Sequence, residues 1–445
     1  MRRPPLVFLL LVTTLPMMSV GTRRAHAEIA EVVIPPALSL DQALALFRQH
    51  GFDLLIADAQ VESAGGDVTA AGAIPNPTAS GGFYRSFFND HAYDSHNGWS
   101  VGLADSNAIE DTLSGKRHLR ARVAEAALAA ARMQRVDAQR TLELQVKQGY
   151  FAALVATAAL EFARQVAVTA DDTFQLNQVR YKSGAISEVD LSKTETAKLE
   201  ADQAVDSALS TLRQSKVALA FLLGQRHGFS DFAVDREQLR FAVPAGLKDA
   251  TAERLIDRAL QARSDLRALT AQRERAGSGL ALARRLRFPD IGVGAEYQRQ
   301  GSGDTPPGAP QAITPPTLEL SLTAALPLLY QQQGEIRKAE ADVRTQDLQL
   351  AKIKAQVVAD VETAFGSYQA SRRLVERMEG RLLDRAHRTR DLVELQYKKG
   401  AASLLEYLDA QRTYIAINLE YLQDLSGYWG AVFQLEAAVA SELTQ

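Results

Sequence analysis

The chain has 445 residues, of which 46% are hydrophobic, with a formal net charge of -3 and no cysteine. A chain of this length can bury a large core without disulfides or metals. The charge balance, with Lys and Arg spread along the chain, argues against a nucleic-acid binder. The lack of Cys excludes disulfides, thiolate nucleophiles, Cys-based zinc sites and a lipid-modified N-terminal Cys.

The N-terminus has the three parts of a secretory signal. Arg2 and Arg3 precede an apolar run from Leu6 to Val12 that continues loosely to Val20, and Ala25-His26-Ala27 follows. This pattern predicts a signal peptide over residues 1–27. A membrane anchor is the alternative, but the apolar stretch is shorter than ~20 residues and Pro16 interrupts it. No later run approaches ~18 apolar residues, so strands would have to form any membrane-spanning part.

The chain contains an internal duplication. Landmarks recur in the same order about 215 residues apart. The pairs are Asp53-Leu54 with Asp265-Leu266, Ile74-Pro75-Asn76 with Phe288-Pro289-Asp290, Gly115 with Gly334, and Tyr181-Lys182-Ser183-Gly184-Ala185 with Tyr397-Lys398-Lys399-Gly400-Ala401. We therefore predict a first repeat over 28–223, a connector over 224–250 and a second repeat over 251–445.

Each repeat is predicted to contain a short helix, a β-hairpin and a long helical hairpin, the helical hairpins covering 115–223 and 334–443. No Pro occurs between Gly115 and Arg180, and strong helix formers dominate there. At ~1.5 Å per residue this segment is on the order of 100 Å long. Apolar or small residues recur every four and three positions, as in Leu142, Val146, Gly149, Ala153, Ala156 and Leu160. The helices alone leave open a plain antiparallel coiled coil or a wall of helices with one wet side.

The predicted β-hairpins cover 78–104 and 288–326. Leu318, Leu320 and Leu322 alternate with polar residues, a period of two that indicates a strand. Such strands, with aromatic ends and long outer loops, are typical of a transmembrane barrel. One chain supplies four strands, whereas the smallest such barrels have ~8, and unpaired edges cannot lie in lipid. The barrel must therefore close with further copies of the chain.

The chain resembles the TolC-like outer-membrane factors, in particular the subgroup paired with heavy-metal efflux pumps. Four features carry the resemblance: the duplication, the Pro-containing segments before the strands, the stretch from Leu318 to Ala341 and the two turn motifs. The resemblance covers the chain from Leu38 to about Ala440. It implies a mainly α fold with a small β part: a homotrimer with a 12-stranded barrel in the Gram-negative outer membrane, continued by a helical tunnel through the periplasm. It further implies a passive efflux conduit that contacts outer-membrane lipid, a periplasmic adaptor (membrane fusion) protein and an inner-membrane pump of the RND type, exporting heavy metals or drugs.

The same resemblance implies functional residues at the two turns. The periplasmic gate would be formed by Asp190, Glu406 and Asp409, three copies of which would place rings of carboxylates at the narrow end. The contact with the adaptor would be formed by the hairpin-tip residues Tyr181, Lys182, Gly184, Tyr397, Lys398, Lys399 and Gly400, of which the Tyr and Lys residues are expected to be exposed. Local helix capping by Asp190 and Glu406, three residues after Ser187 and Ser403, is the alternative role for those two carboxylates.

Other patterns are less informative. The segment from Asp105 to Thr112 is polar where a strand is expected to end at a Gln or Pro. His91 and His96 in the first outer loop are weak metal-ligand candidates, since surface loops are simply polar, and we predict no metal site and no cofactor. No catalytic or phosphate-binding motif occurs, so an enzyme is not expected. The alternative function is a periplasmic coiled-coil scaffold or adaptor without a pore, against which the alternating strand argues.

Overall fold

A computed structural model describes residues 31–85, 97–226, 228, 231–300 and 315–444. The predicted signal peptide and the loop candidates His91 and His96 lie outside these residues. In the first repeat the elements are β1 (Ala37–Leu38), α1 (Leu40–His50), α2 (Phe52–Gly72), β2 (Thr78–Arg85), β3 (Asn97–Ala104), α3 (Ala108–Leu113), α4 (Lys116–Lys182) and α5 (Glu188–Leu222). After β4 (Ala233–Val234) in the connector, the second repeat contains α6 (Ala252–Ala262), α7 (Ser264–Arg285), β5 (Ile291–Gln300), β6 (Thr317–Ala324), α8 (Gln333–Arg377), α9 (Leu383–Lys398) and α10 (Leu404–Val439).

Two helices, rather than the one short helix predicted, precede the strands of each repeat. Extended backbone at Gly51 separates α1 from α2, and extended backbone at Arg263 separates α6 from α7. A Cβ at Gly51 would lie 2.5 Å from the ring of Phe47, so a larger residue does not fit there. Arg263 is held by Asp265 and Asp360, the latter at 2.8 Å. The first division thus lies at a local contact with Phe47, and the second lies at an arginine that also pairs with Asp360 of α8.

The long helices form the predicted hairpins. Helix α4 runs for 67 residues without interruption, whereas a π-helical turn at Met378–Leu382 separates α8 from α9 in the second repeat. An 18-residue window of α4 is apolar enough, by length and composition, to cross a membrane. The helix packs along its length against α2, α5, α7 and α10, however, and the predicted seam residues Val146, Ala153, Ala156 and Leu160 are buried there. Helix packing within the chain thus buries 33% of this apolar window.

The four long strands form one antiparallel sheet in the order β2-β3-β5-β6. The two hairpins join through β3 and β5, in a register that pairs Val101 with Tyr297 and Leu103 with Ala295. One face carries the larger apolar side chains, which are exposed in the single chain; they include Phe83, Trp99, Val101, Leu103, Val293, Tyr297, Leu318, Leu320 and Leu322. In the described part of the sheet, β2 and β6 each pair on one side only. The sheet therefore ends in two open edges.

The polar segment after β3 folds as a short helix. The Asp105 carboxylate accepts hydrogen bonds from the backbone N–H groups of Ala108 (3.0 Å) and Ile109 (3.2 Å). These bonds satisfy donors at the start of α3 that the helix itself leaves unpaired. The residues that departed from the expected strand pattern thus begin a helix.

The largest core lies near the middle of the long helices, where β1 pairs in parallel with β4. Tyr150 of α4 is fully buried there; its hydroxyl donates to the Leu38 carbonyl at 2.9 Å and accepts from the Asp235 N–H at 3.2 Å. Burial raises the pKa of Tyr150 to about 12. This core fixes the connector against both repeats and leaves the hairpin turns at one end of the molecule.

Candidate functional site at the helical tips

The two hairpin tips have the same backbone turn. Gly184 and Gly400 adopt φ values of 72° and 76°. The N–H of Gly184 donates to the Tyr181 carbonyl at 2.9 Å, and the N–H of Gly400 donates to the Tyr397 carbonyl at 3.0 Å. Glycine is favoured because a side chain is strained in this left-handed conformation. The duplicated motif therefore encodes two equivalent reversals.

The returning helices are capped differently. Ser403 and Glu406 form a full capping box: the Ser403 hydroxyl accepts from the Glu406 N–H at 3.2 Å, and the Glu406 carboxylate accepts from the Ser403 N–H at 2.7 Å. Hydrogen bonding from the Ser403 backbone lowers the pKa of Glu406. At the other tip the Ser187 side chain accepts a hydrogen bond from the Asp190 N–H. The Asp190 carboxylate accepts from the Ser187 hydroxyl at 2.9 Å and lies 3.7 Å from the Lys193 amine. Both acidic residues thus have a local structural role.

Arg180 joins the two tips. Its guanidinium donates to the Lys398 carbonyl at 3.2 Å and lies over the Tyr397 ring, 5.0 Å from the centroid. Carbonyls at a helix C-terminus carry partial negative charge, so a cation is favoured there. The end of α4 in the first repeat is therefore bound to the end of α9 in the second.

Tyr397 is buried, which corrects the expectation that it is an exposed adaptor contact. It is 6% exposed, its hydroxyl donates to the Asn177 amide oxygen at 2.6 Å, and Asn177 itself is fully buried. The Asn177 amide nitrogen donates to the Thr173 carbonyl at 3.0 Å. Tyr397 is turned inward because α4 offers both a packing surface and a hydrogen-bond acceptor.

Tyr407 completes the contact between the tips. It is 3% exposed, and its hydroxyl lies 3.0 Å from the Thr173 hydroxyl and accepts from the Gln411 amide at 3.1 Å. Burial raises the pKa of Tyr407. Tyr397 of α9 and Tyr407 of α10 are therefore held against one face of α4 by the polar contacts of their hydroxyl groups with Asn177 and Thr173.

The remaining predicted residues lie on the outside of the tips. Tyr181, Lys182, Lys398 and Lys399 are exposed, as are the gate candidates Glu406 and Asp409, whereas Asp190 is half-buried. A cleft of about 600 Å³ between the tips is lined by Asp190, Lys193 and Ser403 among others. A second cleft of about 690 Å³ is lined by Lys193, Asp409 and Arg412 among others. Asp190 and Asp409 thus border two neighbouring clefts, and Glu406 lines neither of them.

No group of three or more potential ligands is placed to hold a metal ion among the described residues.

Sequence reasoning missed Asn177, Arg180 and Thr173 as partners of the tips. The four-and-three spacing of small and apolar residues runs through Ala170 and Phe174, and the next position is Asn177. A polar residue at a packing position of a coiled coil often specifies a particular partner. That signal could have identified Asn177, whereas the partner itself lies 220 residues away.

Comparison with known proteins places both repeats in one family. A model described as outer membrane efflux protein matches residues 43–225 and 255–441, one segment in each repeat. The cobalt-zinc-cadmium resistance protein CzcC of Cupriavidus metallidurans is 24% identical over 408 residues, which cover 90% of this chain and 89% of that protein.

Solved structures share the fold. One is a crystal structure of CusC, solved in connection with the conformational changes that accompany folding and transmembrane channel formation. Its sequence is 18% identical and its TM-score is 0.73, and the match covers 91% of this chain and 92% of that one. The open state of the MtrE outer membrane channel of Neisseria gonorrhoeae is 18% identical with a TM-score of 0.72, covering 91% and 89%. The predicted fold class, mainly α with a small β part, is confirmed by these similarities.

Proposed function

The chain belongs to the outer membrane efflux protein family, and on that premise we propose that three copies of it form the outer-membrane channel of a tripartite efflux system. It is a channel protein of the outer membrane that extends into the periplasm. A periplasmic adaptor and an inner-membrane pump of the RND type complete the system. The trimer is a passive conduit, and the pump supplies the energy.

The open-edged sheet carries the proposal of a homotrimer. Strands β2 and β6 leave backbone N–H and C=O groups unpaired at the two edges of the described sheet. Such groups cannot remain unpaired in lipid, so the sheet must close with other strands. Three sheets of four strands give a 12-stranded barrel, which lies within the known range.

The helices support the same closure. Near the sheet, α4 packs between α2 and α7, and α7 packs on α8; near the tips, α4 packs between α5 and α10, and α10 packs on α9. Near the sheet and near the tips, first-repeat elements therefore border one side of the chain, and second-repeat elements border the other. A head-to-tail contact between two such different borders generates a ring when the rotation closes.

The tips are proposed as the gate. Three copies of Glu406 and Asp409 would place six exposed carboxylates around the narrow end, where they concentrate cations and repel one another. Asp190 contributes less charge, because Lys193 lies beside it. Opening requires the second-repeat tip to move relative to α4, which breaks the contacts of Arg180, Tyr397 and Tyr407.

The adaptor is proposed to bind the exposed end of the tips. Tyr181, Lys182, Lys398 and Lys399 lie beside the reversals at Gly184 and Gly400 and remain exposed in the single chain. A heavy-metal cation is the proposed cargo, by analogy with CzcC, whose name specifies cobalt, zinc and cadmium resistance. An acidic gate is suited to such cargo.

The test is fractionation followed by electrical recording. The full chain should be recovered from the outer-membrane fraction as a heat-resistant trimer and should form cation-selective pores in planar bilayers. A soluble periplasmic monomer without conductance would support the scaffold or adaptor alternative and reject the channel trimer. Deletion of the gene should raise sensitivity to divalent metals, and restoration by the intact chain identifies the cargo class.

A further inference from the structure

A buried ionic cluster joins the two repeats at the base of the sheet. Lys116, at the start of α4, is 2% exposed; its amine lies 2.6 Å from the Asp290 carboxylate and 3.1 Å from that of Glu110, and donates to the Phe288 carbonyl at 2.8 Å. Asp290 and Phe288 belong to the segment between α7 and β5. The first repeat is therefore attached to the second through a charged joint, which we call the ionic joint.

Further polar contacts surround this joint. The Asp111 carboxylate pairs with the Arg120 guanidinium, one contact being 2.7 Å, and the Arg285 guanidinium donates to the Ser114 carbonyl at 2.5 Å. Glu110 and Asp111 are 9% and 5% exposed. Charges this deeply buried are tolerated when they are paired, so the joint specifies how α3 and α4 sit against the second repeat.

The duplication defines an equivalent place on the outer borders of the chain. Aligning Pro75 with Pro289 matches Thr78 to Gly292, and aligning Gly115 with Gly334 matches Ala104 to Thr323. The two strand ladders agree, since Thr78 pairs with Ala104 and Gly292 pairs with Thr323. The alignment is therefore continuous from the strands into the helices.

Every charged member of the ionic joint is changed at the equivalent place. The matched pairs are Lys116 with Glu335, Glu110 with Leu329, Asp111 with Tyr330, Arg120 with Ala339, Arg285 with Ala71, and Asp290 with Asn76. Glu335 is not left for an ionic partner, because its carboxylate accepts the Tyr330 hydroxyl at 2.6 Å in the same chain. The pairing of the ionic joint is therefore not repeated at these matched positions.

The equivalent place is instead apolar and uncovered in the single chain. Leu328 is 79% exposed, Leu329 is 100% exposed and Tyr330 is 51% exposed on one border, while Ile74 is 59% exposed on the other. Contiguous exposed apolar groups of this kind mark an interaction surface. The segment with Leu328 and Leu329 directly follows β6, so its position depends on how the β6 edge is paired.

We propose that Leu328, Leu329 and Tyr330 of one copy pack against the Ile74-Pro75-Asn76 segment of the next copy, forming an apolar joint between subunits where Lys116 forms the ionic joint within each subunit. This inference rests on the proposed homotrimer. In a ring closed by pairing β6 of one copy with β2 of the next, the second-repeat border of one copy meets the first-repeat border of the next copy. This contact is equivalent to the one between the two repeats inside one chain, so the segments equivalent to those of the ionic joint face each other across the subunit boundary. Ionic and apolar joints then alternate around the base of the barrel.

The alternation has a physical consequence. Assembly covers Leu328 and Leu329 and forms no ion pair between these matched segments, so salt should affect subunit association less than it would affect a joint made of ion pairs. The ionic joint, by contrast, is formed when each subunit folds and depends on ionised carboxylates.

Cross-linking the full-length chain in detergent tests the contact. The chain has no Cys, so the pair Ile74→Cys and Leu329→Cys treated with a short bismaleimide should give covalent dimers and trimers. The control pair Ile74→Cys and Leu348→Cys uses an exposed leucine of α8. Leu348 is 66% exposed and lies 19 positions after Leu329 in the chain, so this pair should give no cross-linked product. Equal cross-linking by both pairs, or none by the first, would overturn the apolar joint.

A second variant set tests the energetics. Leu329→Asp should lower the trimer fraction at least tenfold by light scattering while the helical circular dichroism of the monomer is kept; Leu329→Ile should leave both unchanged. A wild-type monomer would reject the homotrimer and the joint together. If the wild type is a trimer and Leu329→Asp does not disrupt it, the joint alone is rejected. The other possible occupant of this surface is lipid. A bimane fluorophore attached to Leu329→Cys that is strongly quenched by brominated lipid would assign the surface to lipid instead.

Discussion

The aromatic rings of Tyr397 and Tyr407 are stacked, with centroids 4.9 Å apart and planes inclined by 11°. Tyr397 lies in the last turn of α9 and Tyr407 in the first turn of α10, so the stack fixes the two helices of the second-repeat tip against each other. Hydrogen bonds from the pair reach Asn177 and Thr173 on α4. The tip of one repeat is thereby held in place by the other.

Loss of the Tyr397 hydroxyl should loosen the closed tip. Tyr397→Phe leaves the buried Asn177 amide oxygen without its donor, which costs about 1–3 kcal/mol. We expect a larger mean conductance of the trimer in planar bilayers. Tyr181→Phe removes a hydroxyl from an exposed tip tyrosine and serves as the control. Identical conductance for the two variants would show that the bond to Asn177 does not restrain the gate.

Neutralising the exposed carboxylates should change ion selectivity. Glu406→Gln with Asp409→Asn removes the negative charge proposed for the narrow end, so the preference for cations over anions should fall toward unity in reversal-potential measurements. Asp190→Asn is the comparison, because that carboxylate already lies 3.7 Å from the Lys193 amine. Its effect should be smaller. Unchanged selectivity in the double variant would place the selective region elsewhere.

The register between subunits can be tested with disulfides. The intrachain pair Ala104 and Gly294 becomes, by the duplication, Thr323 of one copy opposite Ser80 of the next. Thr323→Cys with Ser80→Cys should therefore form a disulfide-linked trimer on mild oxidation, visible on a non-reducing gel. Thr323→Cys with Tyr84→Cys is about four residues out of register, ~13 Å along the strand, and should not form one. The opposite result would require a different shear of the barrel.

Acid should weaken each subunit through the ionic joint. The hydrogen bond from Lys116 lowers the pKa of Asp290 below its ordinary value of 3.8. The stabilisation is therefore present above that ordinary value and is lost as the pH falls through the lower folded-state value. Because Asp290 is half exposed, solvent screening limits the effect to about 1 kcal/mol. Thermal unfolding between pH 5 and about 2 should depend less on pH in Asp290→Asn than in the wild type.

Removal of the lysine itself should be more damaging. Lys116→Met leaves Glu110 buried without its partner, and breaking a buried pair in this way costs about 3–5 kcal/mol. Chemical denaturation of the purified chain measures the loss. The double variant Lys116→Met with Glu110→Gln should recover part of it. A single variant as stable as the wild type would contradict a stabilising ionic joint.

The reversal at Gly400 should require glycine for its backbone conformation alone. No heavy atom lies within 4 Å of a Cβ built there, but φ is 76°. Gly400→Ala should therefore cost about 1 kcal/mol. Gly366→Ala is the matched control: that position is also open but lies within α8, so alanine should stabilise it by about 0.5–1 kcal/mol. The two variants should shift the melting temperature in opposite directions.

Much of the architecture follows from local pattern. The period-two run at Leu318–Leu322 predicts a strand, the four-and-three spacing around Val146 predicts a packed helix, and the repeated glycine turns predict two reversals. These features depend on residues close in sequence, where periodicity is informative. The division of the first predicted helix at Gly51 was missed, although Gly51 and the Phe47 ring beside it are close in sequence.

The candidate site was predicted less completely. Tyr181 and Lys182 lie at an exposed tip as expected, but Tyr397, in the same motif position as Tyr181, is buried. The two tyrosines differ because Tyr397 meets Asn177 of the other repeat. Similar local sequences cannot distinguish these two environments.

The sequence by itself determined the duplication, the long helices, the alternating strands and the glycine reversals, because each depends on backbone preference and side-chain periodicity over short distances. The tertiary structure decided that β3 pairs with β5, that Lys116 binds Asp290, and that Tyr397 packs on α4. Those contacts join residues more than 170 positions apart. Their free energy comes from burial and charge pairing that exist only when both repeats are folded together.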